Sequence, residues 1–293
     1  MYEYSFGEVL QTLRKNQNIS IDELTEGICS ESDYLCFEQE KKYPTFDQLY
    51  LLSEKLNTNL GYVLNMITKS NDNYVALIKN LIKKYKRERN YGKVYEIIQK
   101  EKLSPIFSSN KLSQFLLWNE GVCLYYLFNN KDQALFTLNE AISLTNPKRV
   151  NLNESEIEIL TSLAMIVYET ADYEQSIFLF KEALQNLENL PTLLDPKVKL
   201  RILFGLSQAL TEEGEYHESL KYSKQGIDIC VEEELLYLFA ECHYQTGENY
   251  FKLGDVAKGK NYVDEAIHLC YLTKQVKMAE IIQVELEKML NRC

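Results

Sequence analysis

Glycine and proline are scarce, 11 and 5 in 293 residues. A β-rich chain spends these residues at every reversal, so their shortage beside abundant Leu, Ile, Glu and Lys argues against short strands and predicts an all-α protein. Histidine is rarer still: His217, His243 and His268 are not spaced as a metal cluster, and no glycine-rich phosphate loop follows a strand. Neither a metal nor any other cofactor is expected, and no enzyme. The seven cysteines include no C-x-x-C pair and sit in aliphatic helical patterns, which reads as reduced thiols; Cys29 and Cys36 fit a core role better than a redox switch. The first residues lack a basic and then apolar leader, and no apolar run approaches the roughly 20 residues of a membrane span. The expectation is a cytoplasmic protein that does not enter a membrane. Positive charge is also in deficit, 32 bases against 43 acids, which excludes wholesale binding to nucleic acid or anionic lipid and leaves room only for local contact.

What is present is material for a folded core: 45% hydrophobic residues with 26% charged. The length suits two domains, or one domain plus a repeat array. Helical segments are predicted at 6–15, 20–29, 30–39, 45–56 and 60–67, with longer ones beyond. Ser20-Ile21-Asp22-Glu23 has the form of a capping box, and Ser30-Glu31-Ser32-Asp33 a weaker version of it. Further along, small residues recur at Val94, Ala134, Ser176, Ser219 and Gly259, at intervals of 40, 42, 43 and 40. Seven positions later stand Ala141, Ala183, Gly226 and Ala266, on the same helix face, where they admit a close neighbour. Each unit is then a helical hairpin. Gly247, Tyr250, Gly254, Gly259 and Ala266, and earlier Trp118, Tyr125, Ala134 and Ala141, match the tetratricopeptide pattern, so stacking into a right-handed solenoid with a concave groove is expected. The expected division is 1–68, a linker helix over 69–90, and about five hairpins over 91–293, the first overlapping the linker helix.

The first block resembles the Xre/Cro-type helix-turn-helix family over about 60 residues. Leu13-Arg14, the capped segment 20–29, and 30–39 followed by Lys41-Lys42-Tyr43-Pro44-Thr45 carry the resemblance. It implies that Arg14 pairs with Glu38, that Glu31, Ser32 and Leu35 face base edges, and that Ser20, Lys41 and Lys42 hold phosphates. Glu40 stands where the family usually has glycine, so the turn after the reading helix must accept a costlier conformation. Residues 1–68 carry five bases and eleven acids, a net of −6, whereas 79–93 hold seven bases against Glu88 alone. That run fits DNA flanks, a solvated helix face or contact with an acidic peptide.

Joined in one chain, the two halves resemble the PlcR-like peptide-sensing regulators of Gram-positive bacteria, the group that includes Rap, NprR, PlcR and PrgX. The resemblance implies a homodimer on a roughly palindromic operator, responsive to a short signalling peptide and leaning toward activation. It implies peptide contacts from Arg89, Thr161 and Gln245, with either a shifted peptide or added roles for Tyr125, Tyr168 and Tyr244. Gly205 replaces an asparagine of the group and offers no side-chain bond. For any one of the 21 tyrosines, packing between helices competes with a peptide contact. An adaptor whose acidic first block has lost DNA binding is the alternative reading.

Overall fold

The computed structural model describes residues 6–58 and 70–291, and it divides into two compact units, Met1–Asn90 and Tyr91–Cys293. Every regular element among the described residues is helical, in agreement with the all-α expectation.

The first unit contains α1 (Phe6–Gln17), α2 (Ile21–Thr25), α3 (Glu31–Glu38), α4 (Phe46–Lys55) and α5 (Ser70–Arg87). The predicted segment 60–67 lies outside the described residues. Val9, Leu10, Leu24, Tyr34, Phe37, Leu49, Leu52 and Leu56 form the core of the short helices. The second helix is much shorter than the expected 20–29. Thr25 Oγ1 donates to Ile21 O at 2.8 Å, and Gly27 turns the chain at φ 74, so the helix ends within one turn and a half. Ser20 Oγ accepts from Glu23 N at 3.4 Å, and the hydroxyl points at the Glu23 carboxylate. A fully reciprocal capping box occurs instead at Thr45 and Gln48.

The second unit opens with α6 (Tyr91–Glu101) and a 3-10 turn, Pro105–Phe107. Four antiparallel pairs follow: α7 (Asn110–Tyr126) with α8 (Lys131–Thr145), α9 (Glu154–Glu169) with α10 (Tyr173–Glu188), α11 (Pro196–Glu212) with α12 (Tyr216–Glu232), and α13 (Phe239–Lys252) with α14 (Val256–Leu272). The single helix α15 (Val276–Leu290) packs on α14. The small residues of the repeat register open the second helices and are buried, because the first helix of each pair lies against them. Two use that proximity for a hydrogen bond: Ser176 Oγ donates to Ala164 O at 2.9 Å, and Ser219 Oγ to Ser207 O at 2.7 Å. First helices also touch their counterparts in the next pair, α7 on α9, α9 on α11 and α11 on α13. A stack bends toward the elements that approach most closely, so these helices line its inner face.

Among the described residues, no helix is long and apolar enough to cross a membrane.

Candidate recognition surfaces

The first surface is the outward side of α3, and its aim depends on how α1 grips that helix. Arg14 Nε donates to Glu38 Oε1 at 2.9 Å and Arg14 Nη2 to Glu38 Oε2 at 3.4 Å, with Gln11 Nε2 adding a bond at 3.2 Å. The two side chains are 14% and 5% exposed. The bond to Glu38 raises the Arg14 pKa further, so the guanidinium stays charged at any ordinary pH. Glu40 adopts φ 56, the conformation expected where glycine is missing. Its side chain also reaches back to α1, where Oε1 accepts the Gly7 amide at 3.2 Å and satisfies a donor in the first turn of that helix.

On the α3 surface Glu31, Ser32 and Leu35 are all exposed, as are Ser20, Lys41 and Lys42. They are not equally available. Ser32 Oγ sits 2.9 Å from the N-cap hydroxyl of Ser30, and Lys42 Nζ is bridged to Asp33 Oδ1 at 2.7 Å. This exposed bridge is weak, yet it holds the Lys42 ammonium at the first turn of α3 with an opposing negative charge beside it. Burial pushes the Cys29 thiol pKa up, away from the reactive thiolate.

The second surface is the inner face of the helical pairs. Trp118 Nε1 on α7 donates to Ser162 Oγ on α9 at 2.8 Å, and Arg201 on α11 forms an ion pair with Glu158 on α9. Further along, Tyr126 OH donates to Glu169 Oε1 at 2.6 Å. The three tyrosines singled out from the sequence are half-buried and joined by carboxylates. Tyr125 is affected by Glu169, Tyr168 by Glu212, Glu248 and Glu169, and Tyr244 by Glu248 and Glu285. Burial first, then Glu212, pushes the Tyr168 phenol up to about 12; burial likewise raises Tyr244. Burial also holds the Glu248 carboxyl above the usual range, with Lys252 opposing and Glu212 reinforcing.

The remaining expected residues lie elsewhere. Thr161 is 6% exposed and its hydroxyl donates to Ile157 O at 2.7 Å within its own helix. Gln245 is 3% exposed; its amide donates to Thr211 Oγ1 at 2.8 Å and Glu248 Oε2 at 3.1 Å. Both sit beneath the surface that a ligand would touch. Arg89 belongs to the first unit, in the turn after α5 at φ 53. Gly205 lies under the ring of Phe180, where any side chain would collide, so an asparagine has no space at that position. A separate open hollow of about 510 Å³ between α7 and α8 is lined by Leu117, Phe136, Asn139, Glu140, Ser143 and Leu144, and none of the expected residues borders it.

Sequence reasoning missed Glu169, Glu212, Glu248 and Glu285. The signal was present for the first two: they are 43 residues apart, the same interval as Ser176 and Ser219.

Comparison with known proteins agrees with this architecture. PlcR of Bacillus thuringiensis, in complex with the peptide PapR7 and DNA, superposes with a TM-score of 0.80 at 21% identity, covering 96% of this chain and 99% of that one. ComR of Streptococcus thermophilus, in complex with DNA and its signalling peptide ComS, gives 0.69 at 13% identity, with 97% and 99% covered. The SHP pheromone receptor Rgg2 of Streptococcus dysgalactiae gives 0.64 at 15% identity, again with 97% and 99% covered. At these identities the likeness concerns the fold. No curated protein matches. The RNPP family C-terminal domain, however, matches residues 79–276, most of the chain. The chain therefore belongs to the RNPP family, and its relatives there are peptide-sensing transcriptional regulators.

Proposed function

We propose that the protein is a cytoplasmic, peptide-responsive regulator that binds operator DNA as a homodimer and activates transcription. The observation that carries this reading is the joint presence, in one chain, of a reading helix held by the Arg14–Glu38 clamp and a tyrosine-lined inner face on a helical stack. Glu31, Ser32 and Leu35 face base edges, while Lys41, Lys42 and the α2 terminus at Ser20 hold phosphates. A short signalling peptide lies along the first helices and meets Tyr125, Tyr168 and Tyr244, with Thr161 and Gln245 supporting that surface from below. Arg89 supplies a base from the linker.

Switching is a matter of linkage. The peptide must bind the DNA-competent arrangement better than the other, and about 1–3 kcal/mol of coupling changes occupancy five- to a hundredfold.

The test is selection of duplexes by the full chain from a random-sequence pool at low salt, repeated with a pooled random heptapeptide mixture. Enrichment of a two-fold symmetric sequence is expected. Glu31→Ala and Ser32→Ala should then shift base preference, and Lys42→Ala should weaken all duplexes alike. Failure to enrich any sequence under either condition would leave the adaptor reading in its place.

A further inference from the structure

The basic run after residue 78 is organised by α5. Ile78 and Ile82 are buried and mark one side of that helix. At about 100° per residue, Lys79, Lys83 and Arg87 fall within an arc of roughly 80° whose centre is about 120° from the isoleucine pair. All three are exposed, and they follow one another at i, i+4 and i+8, about 6 Å apart along the axis. Lys84 lies outside the arc, beside Glu88 at 4.0 Å. The helix thus presents three cations in one line.

The first 68 residues need such a line. Their net charge is −6, and of the two lysines beside α3 one is already bridged to Asp33. Affinity for a duplex comes largely from cations that displace condensed counterions, and specific contacts by Glu31 or Ser32 cannot supply that term. Helix α5 belongs to the same compact unit as α3.

We propose that the Lys79–Lys83–Arg87 face of α5 is a second DNA contact, one that holds backbone phosphates and reads no bases. The inference rests on the DNA-binding reading above, and its test separates the two. The triple variant Lys79→Ala, Lys83→Ala, Arg87→Ala places strong helix formers at exposed positions, so its helicity by circular dichroism should match the parent. Binding of parent and variant is measured against salt on the duplex recovered by selection and on a scrambled version of it. Each lost phosphate contact flattens the slope of log K against log salt by about 0.9, so the variant should be shallower by about 2.7. Equivalently, its affinity deficit should shrink by about 40-fold between roughly 50 and 200 mM salt. The charge-preserving set Lys79→Arg, Lys83→Arg, Arg87→Lys should keep the parent slope. Arg87→Gln alone, a milder change, should flatten it by about 0.9.

Coincident slopes for parent and alanine variant overturn the α5 contact while leaving DNA binding intact, and point to a merely solvated face. A change confined to the recovered duplex also overturns it, since phosphate contacts are blind to sequence. A parent protein that binds neither duplex removes both readings together.

Discussion

Gly205 offers a sharp test of how the hairpins fit together. A Cβ at this position would stand 2.3 Å from Phe180 Cζ and 2.7 Å from Cε1, where ordinary contact begins near 3.4 Å. The ring must retreat by about 1 Å, and it is fully buried in the core shared by the α9–α10 and α11–α12 pairs. Forced overpacking of this kind costs about 1–3 kcal/mol, against a gain of about 1 kcal/mol for alanine over glycine within a helix. Because the ring is fully buried and cannot swing out to solvent, the upper part of that range applies, and Gly205→Ala should lose about 1–2 kcal/mol net. Gly205→Asn, with a smaller propensity gain and more atoms to place, should lose more. For a unit of this size the alanine change lowers Tm by roughly 2–8 °C. The assay is built in: the single tryptophan, Trp118, lies in the repeat unit and its indole bonds Ser162, so its fluorescence follows unfolding of this unit alone. Phe180→Leu supplies the rescue. On its own it should cost about 1–2 kcal/mol, and the double variant should fall near that single cost instead of the sum. A Gly205→Ala protein that melts higher than the parent, with costs that simply add in the double variant, would show that the ring yields freely and the reasoning fails.

Two further outcomes follow from the same kind of accounting. Arg14→Met strands a nearly buried Glu38 carboxylate with Gln11 and the neutral Tyr34 hydroxyl beside it but no cation, and should cost about 3 kcal/mol, whereas Arg14→Met with Glu38→Leu should recover most of the loss; hydrogen exchange in α1 and α3 reads both, and equal protection in single and double variants would refute the clamp. The Tyr168 phenol has its pKa raised from 10.0 to about 12, so the folded state holds that proton more tightly, and the associated stability is complete below pH 10 and lost between 10 and 12. Tyr168→Phe should remove that loss, and a tyrosinate absorbance titration should lose one tyrosine's worth of signal near pH 12, while Tyr34, Tyr126 and Tyr244, whose phenols are pushed higher, still ionise above it; an unchanged titration near pH 12 would place Tyr168 in open solvent.

Much of this architecture was legible in the chain, and the reasons differ by scale. The hairpin register could be read because a second helix must open with a small residue where the first helix lies against it, and Ala134, Ser176 and Ser219 obey that steric demand. The Arg14–Glu38 clamp and the left-handed turn at Glu40 were equally accessible. The end of α2 was not, because a back-bonded threonine and Gly27 outweighed the capping signal. Nor was the Gly7–Glu40 bond, which joins residues 33 positions apart. The inner face failed at a finer scale still. Successive residues point about 100° apart, so Tyr244 is half-buried at the surface while its neighbour Gln245 is sealed in, and no count of repeats to the nearest residue resolves that rotation.

The burial of Gln245 changes how the groove should be probed. Its amide feeds Thr211, whose hydroxyl donates to Asn249 Oδ1 at 2.9 Å, while Asn249 Nδ2 donates to Ser219 Oγ at 2.8 Å. These bonds tie α11, α12 and α13 together through groups sealed from water. Truncating one member leaves its partners unpaired at about 1–3 kcal/mol, so a loss of ligand binding in Gln245→Ala would report folding and recognition mixed together. Glu212 carries no such burden: it is exposed at the end of α11 and acts on Tyr168 and Glu248 through charge alone. Glu212→Gln removes a negative charge from the inner face without opening the buried network. A change in ligand affinity there, with the melting curve intact, can only come from the surface itself.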